Sequence, residues 1–241
     1  MKPLFKNPLL TCLLTLAAFA IFTSCMPEAS EPASQLVIGV QVNDIDSTLK
    51  ADNDSLTVEE IRFIHGKSFF TISEDSTIQL TGRAHQLSYK GTTRQGTQLI
   101  YPFPPGAPSP FPEGVYQGLT FKIVRAESVS DDTPGFDPDP AFTNGGNYSI
   151  IINGTYNDKD FTFKASKGFE YNFKFTPPVS VSSEAKVYRF LISTDLSDWF
   201  KAENADALLD PSIDENKTLI YDNIQSAFTI EQVSSVPDDG N

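Results

Sequence analysis

The chain has 241 residues, of which 31 are acidic and 18 basic, and its formal net charge is −13. That balance excludes a nucleic-acid-binding surface, which needs a cationic footprint, and it excludes adhesion of the protein surface to anionic lipid. The two cysteines, Cys12 and Cys25, both lie within the first 25 residues, so the remainder can form neither a disulfide, a catalytic thiolate nor a cysteine zinc site.

The N-terminus is a leader in composition. Lys2 and Lys6 precede an apolar run from Leu9 to Phe22, interrupted only by Thr11, Cys12 and Thr15. The run is shorter than the roughly 20 residues a helix needs to span a bilayer. It has no polar face, and its basic start and small-residue end are those of a secretion signal. The residues Phe22-Thr23-Ser24-Cys25 resemble the lipobox of bacterial lipoproteins. The resemblance implies cleavage before Cys25, a diacylglyceryl group on its sulfur and an acyl group on its new amine. Several acyl chains anchor stably where one does not. Met26, rather than Asp, follows Cys25, which in this class implies the outer membrane. Loss of residues 1–24, with two lysines and no acid, leaves a charge of −15.

Residues 25–34 read as a lipidated tether, since Met26 to Ser34 is a Pro/Ser/Glu/Ala segment. Residues 35–233 read as one domain. Leu36 to Val42 alternates and is β-branched, which predicts a first strand. Thr57 to His65, a Gly66-Lys67 turn and Ser68 to Ser73 predict a hairpin. Shorter strands are expected at Thr77 to Leu80 and Gly82 to Tyr89, and longer ones at Gly114 to Arg125, Asn147 to Asn153 and Tyr156 to Ala165. Phe169, Tyr171, Phe173 and Phe175 alternate with Glu170, Asn172 and Lys174, the period of a half-buried strand. Pro177-Pro178 is expected to stop it. Lys186 to Thr194 is apolar on both faces, which predicts a central strand. Thr194 or Asp195 is expected to cap a short helix through Ala202, with Trp199 on its inner face. Asp214 or Asn216 is expected to cap a second helix over Lys217 to Ala227. Phe228 to Val233 closes as a last strand, and residues 234–241 read as a disordered tail. The fold class is therefore all-β: a single antiparallel two-sheet sandwich, Ig-like or jelly-roll-like, with one or two short C-terminal helices.

Four features carry candidate chemistry. The Pro-rich segment after Tyr101 holds Tyr101, Phe103 and Phe111 on a stiff backbone, a way to present aromatic anchors to a partner. Asp131, Asp132, Asp137 and Asp139 cluster in an acidic turn that offers oxygens to calcium, although the spacing is not that of a calcium-binding loop. Asn43, Asp44, Asp46, Asp52, Asn53 and Asp54 form a second, less ordered polar group that reads as inter-strand turn chemistry. His65 and His85, the only histidines, are the candidate pair for haem or a transition metal. Ser47, Ser55 and Ser76 each follow an Asp, similar to the O-glycosylation sequon of exported Bacteroidetes proteins. No nucleophile elbow and no H-E-x-x-H motif occurs in the sequence, so no catalytic residue is assigned and the chain is expected not to be an enzyme.

Ser193-Thr194-Asp195-Leu196, Trp199-Phe200, Leu209-Asp210-Pro211 and Asp222 to Ser226 resemble the tail of uncharacterised Bacteroidetes-type envelope lipoproteins. These are distantly similar to methanobactin-associated, copper-linked periplasmic proteins. The resemblance implies a β-sandwich at the cell envelope and no particular activity. The expected function is that of a non-enzymatic binding or accessory module for a protein or glycan partner, membrane-bound through its lipid and without a cofactor. The alternatives are a metal- or haem-carrying lipoprotein and a structural, fimbrial-type surface subunit.

Overall fold

Alternation in the first strand, β1 (Gln35–Asn43), sends Leu36, Ile38, Val40 and Val42 into the core. The computed structural model describes residues 35–45, 47–73, 76–79, 84–90, 97–101, 112–130, 136–182, 186–203 and 207–237. The lipobox and tether lie outside the described residues.

The described chain is mostly β-strand and forms two open sheets. The smaller sheet has the order β13 (Thr229–Pro237), β12 (Lys186–Asp195), β1, β7 (Thr97–Tyr101). As the apolar pattern requires, β12 is central, bonded to both β1 and β13. The pairing of β1 with β12 is parallel, from Gln35↔Val187 to Asn43↔Asp195. The expected purely antiparallel arrangement therefore fails here. A parallel neighbour requires a long crossover, and more than half of the chain intervenes between these two strands. The strand β13 also continues to Pro237, opposite Lys186, past the boundary expected at 233.

The larger sheet has the path β10 (Lys159–Ala165), β9 (Ile150–Tyr156), β3 (Asp54–His65), β8 (Gly114–Ile123), β4 (Phe69–Ser73), β5 (Ser76–Gln79). Off this path, β11 (Phe169–Val181) pairs with β8, while β2 (Thr48–Ala51) and β6 (His85–Lys90) pair with β3. The expected hairpin of Thr57–His65 with Ser68–Ser73 does not form, because β8 stands between β3 and β4 in the sheet. After His65 the chain is captured by β8: Gly66 N–H donates to the Lys122 carbonyl (2.8 Å) and Val124 N–H to the Ile64 carbonyl (2.9 Å). β9 and β10 do form a tight hairpin, with Asn157 (φ 49°) and Asp158 (φ 62°) both left-handed in the two-residue turn.

In β11 the aromatic alternation acts as its period demands. Phe169 and Tyr171 are buried, Phe173 and Phe175 half-buried, and Glu170, Asn172 and Lys174 exposed. Pro177-Pro178 does not end the strand as expected. Proline lacks the N–H for a ladder bond, so the pairing with β8 lapses after Lys174 and resumes at Val179↔Tyr116. The Thr176–Pro177 peptide is cis.

One core joins the two sheets. Phe190 of β12 lies 5.6 Å from Phe70 of β4 and 5.0 Å from Phe175 of β11, ring centroid to centroid. Tyr89 of β6 donates to the Val40 carbonyl of β1 (3.2 Å). The C-terminal helices cover the rest of that face. Helix α2 (Leu196–Trp199) buries Leu196 and Trp199, and α3 (Lys217–Ala227) buries Ile220 and Ile224. Asp195 and Asn216 occupy the N-cap positions, though neither side chain makes the capping bond. Tyr171 ties α3 to β11 by donating to the Ile224 carbonyl (3.0 Å). On the opposite face of β3, Ile64 packs with Ala84, Ala126, Val129, Phe142 and Ile151 in a second small cluster. It gathers the short helix α1 (Glu127–Ser130) and the 3-10 turn Pro140–Phe142. Among the described residues no helix is long and apolar enough to cross a membrane.

Two glycines permit irregular pairing. A Cβ at Gly154 would sit 2.1 Å from the Thr57 carbonyl oxygen, where β3 and β9 shift register between Val58 and Glu60. A Cβ at Gly118 would sit 2.3 Å from the Phe173 carbonyl oxygen, just before the lapse between β8 and β11. Backbone cannot yield as a flexible side chain can. Gly154→Ala is therefore expected to lower unfolding free energy by about 2 kcal/mol, read as a shifted urea midpoint. A midpoint equal to wild type would show that the strands separate freely there.

Candidate functional site

Among the described residues, the histidines are the sequence-predicted pair that the fold brings together. His65 is the last residue of β3 and His85 the first of β6. The β3–β6 ladder sets them directly opposite one another. His65 also pairs with Ile123 of β8, so it stands where three strands meet. Both rings belong to the face that carries Phe63 and Tyr89, which stack at 5.6 Å between centroids.

His65 is fully buried and His85 half-buried. The His65 ring stacks on Phe121, 4.8 Å between centroids and 18° between planes. Its Nε2 shares a 2.8 Å hydrogen bond with the Ser68 hydroxyl, itself buried. Its Nδ1 is buried with no hydrogen-bond partner. Burial, and secondarily the charge His85 acquires on protonation, lower the pKa of His65 to about 3. The ring is neutral at physiological pH.

Of the acidic turn, Asp137 and Asp139 fall among the described residues. Asp131 and Asp132 lie outside the described residues. Asp137 is exposed. Asp139 is already occupied: one carboxylate oxygen accepts from Arg62 Nη1 (2.7 Å) and the other from Ala141 N–H (2.8 Å). It caps the 3-10 turn and fixes it to β3. Arg62 extends this network through Nε to Glu60 (3.6 Å), and its guanidinium lies 6.0 Å from the Phe142 ring centroid. An arginine between Ile61 and Phe63 was the available sequence signal for that anchor.

The second polar group is turn chemistry, as expected. Asp44 and Asp52 have left-handed backbones (φ 67° and 49°). Asn43 donates to Asp195 (2.6 Å), and Asp54 accepts from Asn157 (3.0 Å). Asn53 is exposed at the β2–β3 turn, and Asp46 is outside the described residues. Among the sequon serines, Ser47 and Ser76 are exposed, while Ser55 is half-buried and its N–H donates to the Asn157 side chain (2.8 Å).

Tyr101 closes β7, its backbone opposite Leu36. Phe103 and Phe111 lie outside the described residues. The far flank of that segment is fixed: the Tyr116 hydroxyl donates to the Pro112 carbonyl (2.6 Å), and Gly114 opens β8 opposite Val181. A further hollow of about 130 Å³, among whose lining residues are Lys67, Phe69, Lys122 and Ser128, opens beside α1. There Lys122 is paired with Glu170 (2.6 Å).

Comparison with protein-family models, with curated proteins and with solved structures finds no match.

Proposed function

We propose that this chain is a lipid-anchored protein of the bacterial outer membrane, and that its body, a β-sandwich, is a non-enzymatic binding or accessory module for a protein or glycan partner. The observation that carries this reading is the order of basic start, apolar run and Phe22-Thr23-Ser24-Cys25. Multiple acyl chains on Cys25 hold a folded body at the envelope without a spanning helix. The partner surface is assigned to Tyr101, Phe103 and Phe111. Their segment leaves β7 in one sheet and enters β8 in the other, and both ends are held in hydrogen-bonded ladders. Aromatic anchors on a loop with fixed ends and several prolines lose little conformational entropy on binding.

Two measurements test the reading. Metabolic labelling with a palmitate analogue is expected to mark the wild-type protein, and Cys25→Ser to abolish the label and move the protein from the membrane to the soluble fraction. Retention of Cys25→Ser in carbonate-washed membranes would end the anchoring proposal. On a glycan array, and in crosslinking of intact cells, the combined Tyr101, Phe103 and Phe111 to Ala variant is expected to lose about tenfold or more of the wild-type signal. An unchanged signal would remove the loop as the partner surface.

A further inference from the structure

An unpaired imidazole nitrogen in a core needs an explanation, because burying an acceptor without a partner costs about 1–3 kcal/mol. His65 Nδ1 is such an atom. Its ring is clamped by Phe121 on one face, and Ser68 Oγ holds the other nitrogen at 2.8 Å. When Nε2–H donates to Ser68, the Nδ1 lone pair is bare, and a second imidazole stands directly across the ladder, close enough for its charge to act on the ring. Directly opposed residues of an antiparallel pair project from the same face with close Cβ atoms. This is how metal-ligating histidines are built: one ring nitrogen faces the ion while the other donates to a neighbour that fixes the tautomer.

We propose that His65 Nδ1 and the His85 imidazole form a two-nitrogen site for a transition-metal dication of the zinc type, with Ser68 as the positioning residue. Imidazole is a preferred donor for zinc, nickel and copper, whereas calcium and magnesium take oxygen. Among the described residues no group of three or more His, Cys, Asp and Glu could hold an ion. The described residues therefore supply two ligands, and water fills the remaining positions of the tetrahedron. His65 is shut off from solvent, so the ion approaches from the half-buried His85 side. The acidic body favours the approach of a cation. The site is independent of the partner-binding loop and of the lipid anchor.

The test uses the full-length chain without a polyhistidine tag, stripped with EDTA and titrated with Zn²⁺ near neutral pH by calorimetry, with Co²⁺ as an optical probe. A single equivalent is expected to bind, to raise the thermal midpoint, and to produce cobalt bands of nitrogen ligation. His85→Gln is expected to lose about tenfold or more in affinity while its metal-free far-UV spectrum matches wild type. Ser68→Ala keeps both rings and is expected to weaken binding by about tenfold. The chain has only two histidines, so imidazole ¹⁵N resonances provide a readout that needs no variant. Both sets are expected to shift on adding Zn²⁺, with the His65 shift at Nδ1. The site is overturned if wild type binds no Zn²⁺, if His85→Gln titrates like wild type, or if the His65 resonances do not move.

Discussion

In chelator-treated protein, lowering the pH from 7 to 4 is expected to remove about 3 kcal/mol of folding stability through His65 alone. The ring has a pKa of about 3 when folded and about 6.5 when unfolded. Below the unfolded value the denatured chain takes up a proton that the native chain refuses, so stability falls as pH drops. The contribution is fully present above about 6.5, declines through the window down to about 3, and is constant below it. Each pH unit inside that window is worth about 1.4 kcal/mol. The cause is chiefly burial, with His85 adding repulsion once it is charged. Urea midpoints of wild type and His65→Leu across this range isolate the effect, because carboxylates titrate equally in both. Wild type is expected to lose stability more steeply by one proton. Parallel curves would mean that water reaches the ring and the burial argument is wrong.

Trp199→Ala is expected to cost about 4 kcal/mol, the upper part of the range for deleting a large buried ring. The indole is fully buried and its N–H donates to the Thr194 hydroxyl at 2.7 Å. Its ring lies 5.9 Å from Phe228, centroid to centroid. Around it, Asn223 of α3 donates to the Trp199 carbonyl (3.2 Å), so the residue joins α2, α3 and the end of β12. Truncation leaves a cavity and strands a buried hydroxyl together. Trp199→Phe retains most of the volume and is expected to cost about 1–2 kcal/mol, mainly for Thr194. Far-UV dichroism in urea reads both, since Trp199 is the only tryptophan and fluorescence disappears with it. An alanine variant within about 1 kcal/mol of wild type would show that α2 and α3 refill the space.

β11 announced itself by aromatic alternation, and the buried and exposed positions followed it. The helix over Lys217–Ala227 emerged at the expected boundaries, since its apolar spacing suits one covered face. Two strands went unread, β2 and β7. The first is only four residues long, with none of its side chains fully buried. The second, TQLIY, is five residues long and precedes the Pro-rich run. Neither carries enough period to stand out from loop sequence. The neighbours of β4 were misread because a short Gly-containing link after a strand looks the same whether the chain turns back beside it or crosses to another partner.

The two histidines show the same division at the site. Their positions at strand ends were readable, and their meeting was not. Local pattern alone dictated an acidic body without thiols, built mostly from alternating strands and closed by short helices near Trp199. Alternation depends only on each residue and its nearest neighbours along the chain. The parallel pairing of β1 with β12, the insertion of β8 between β3 and β4, and the register that sets His65 against His85 came from tertiary structure. Each of these depends on which distant strand wins a free edge, and that is decided by the packing of the whole core.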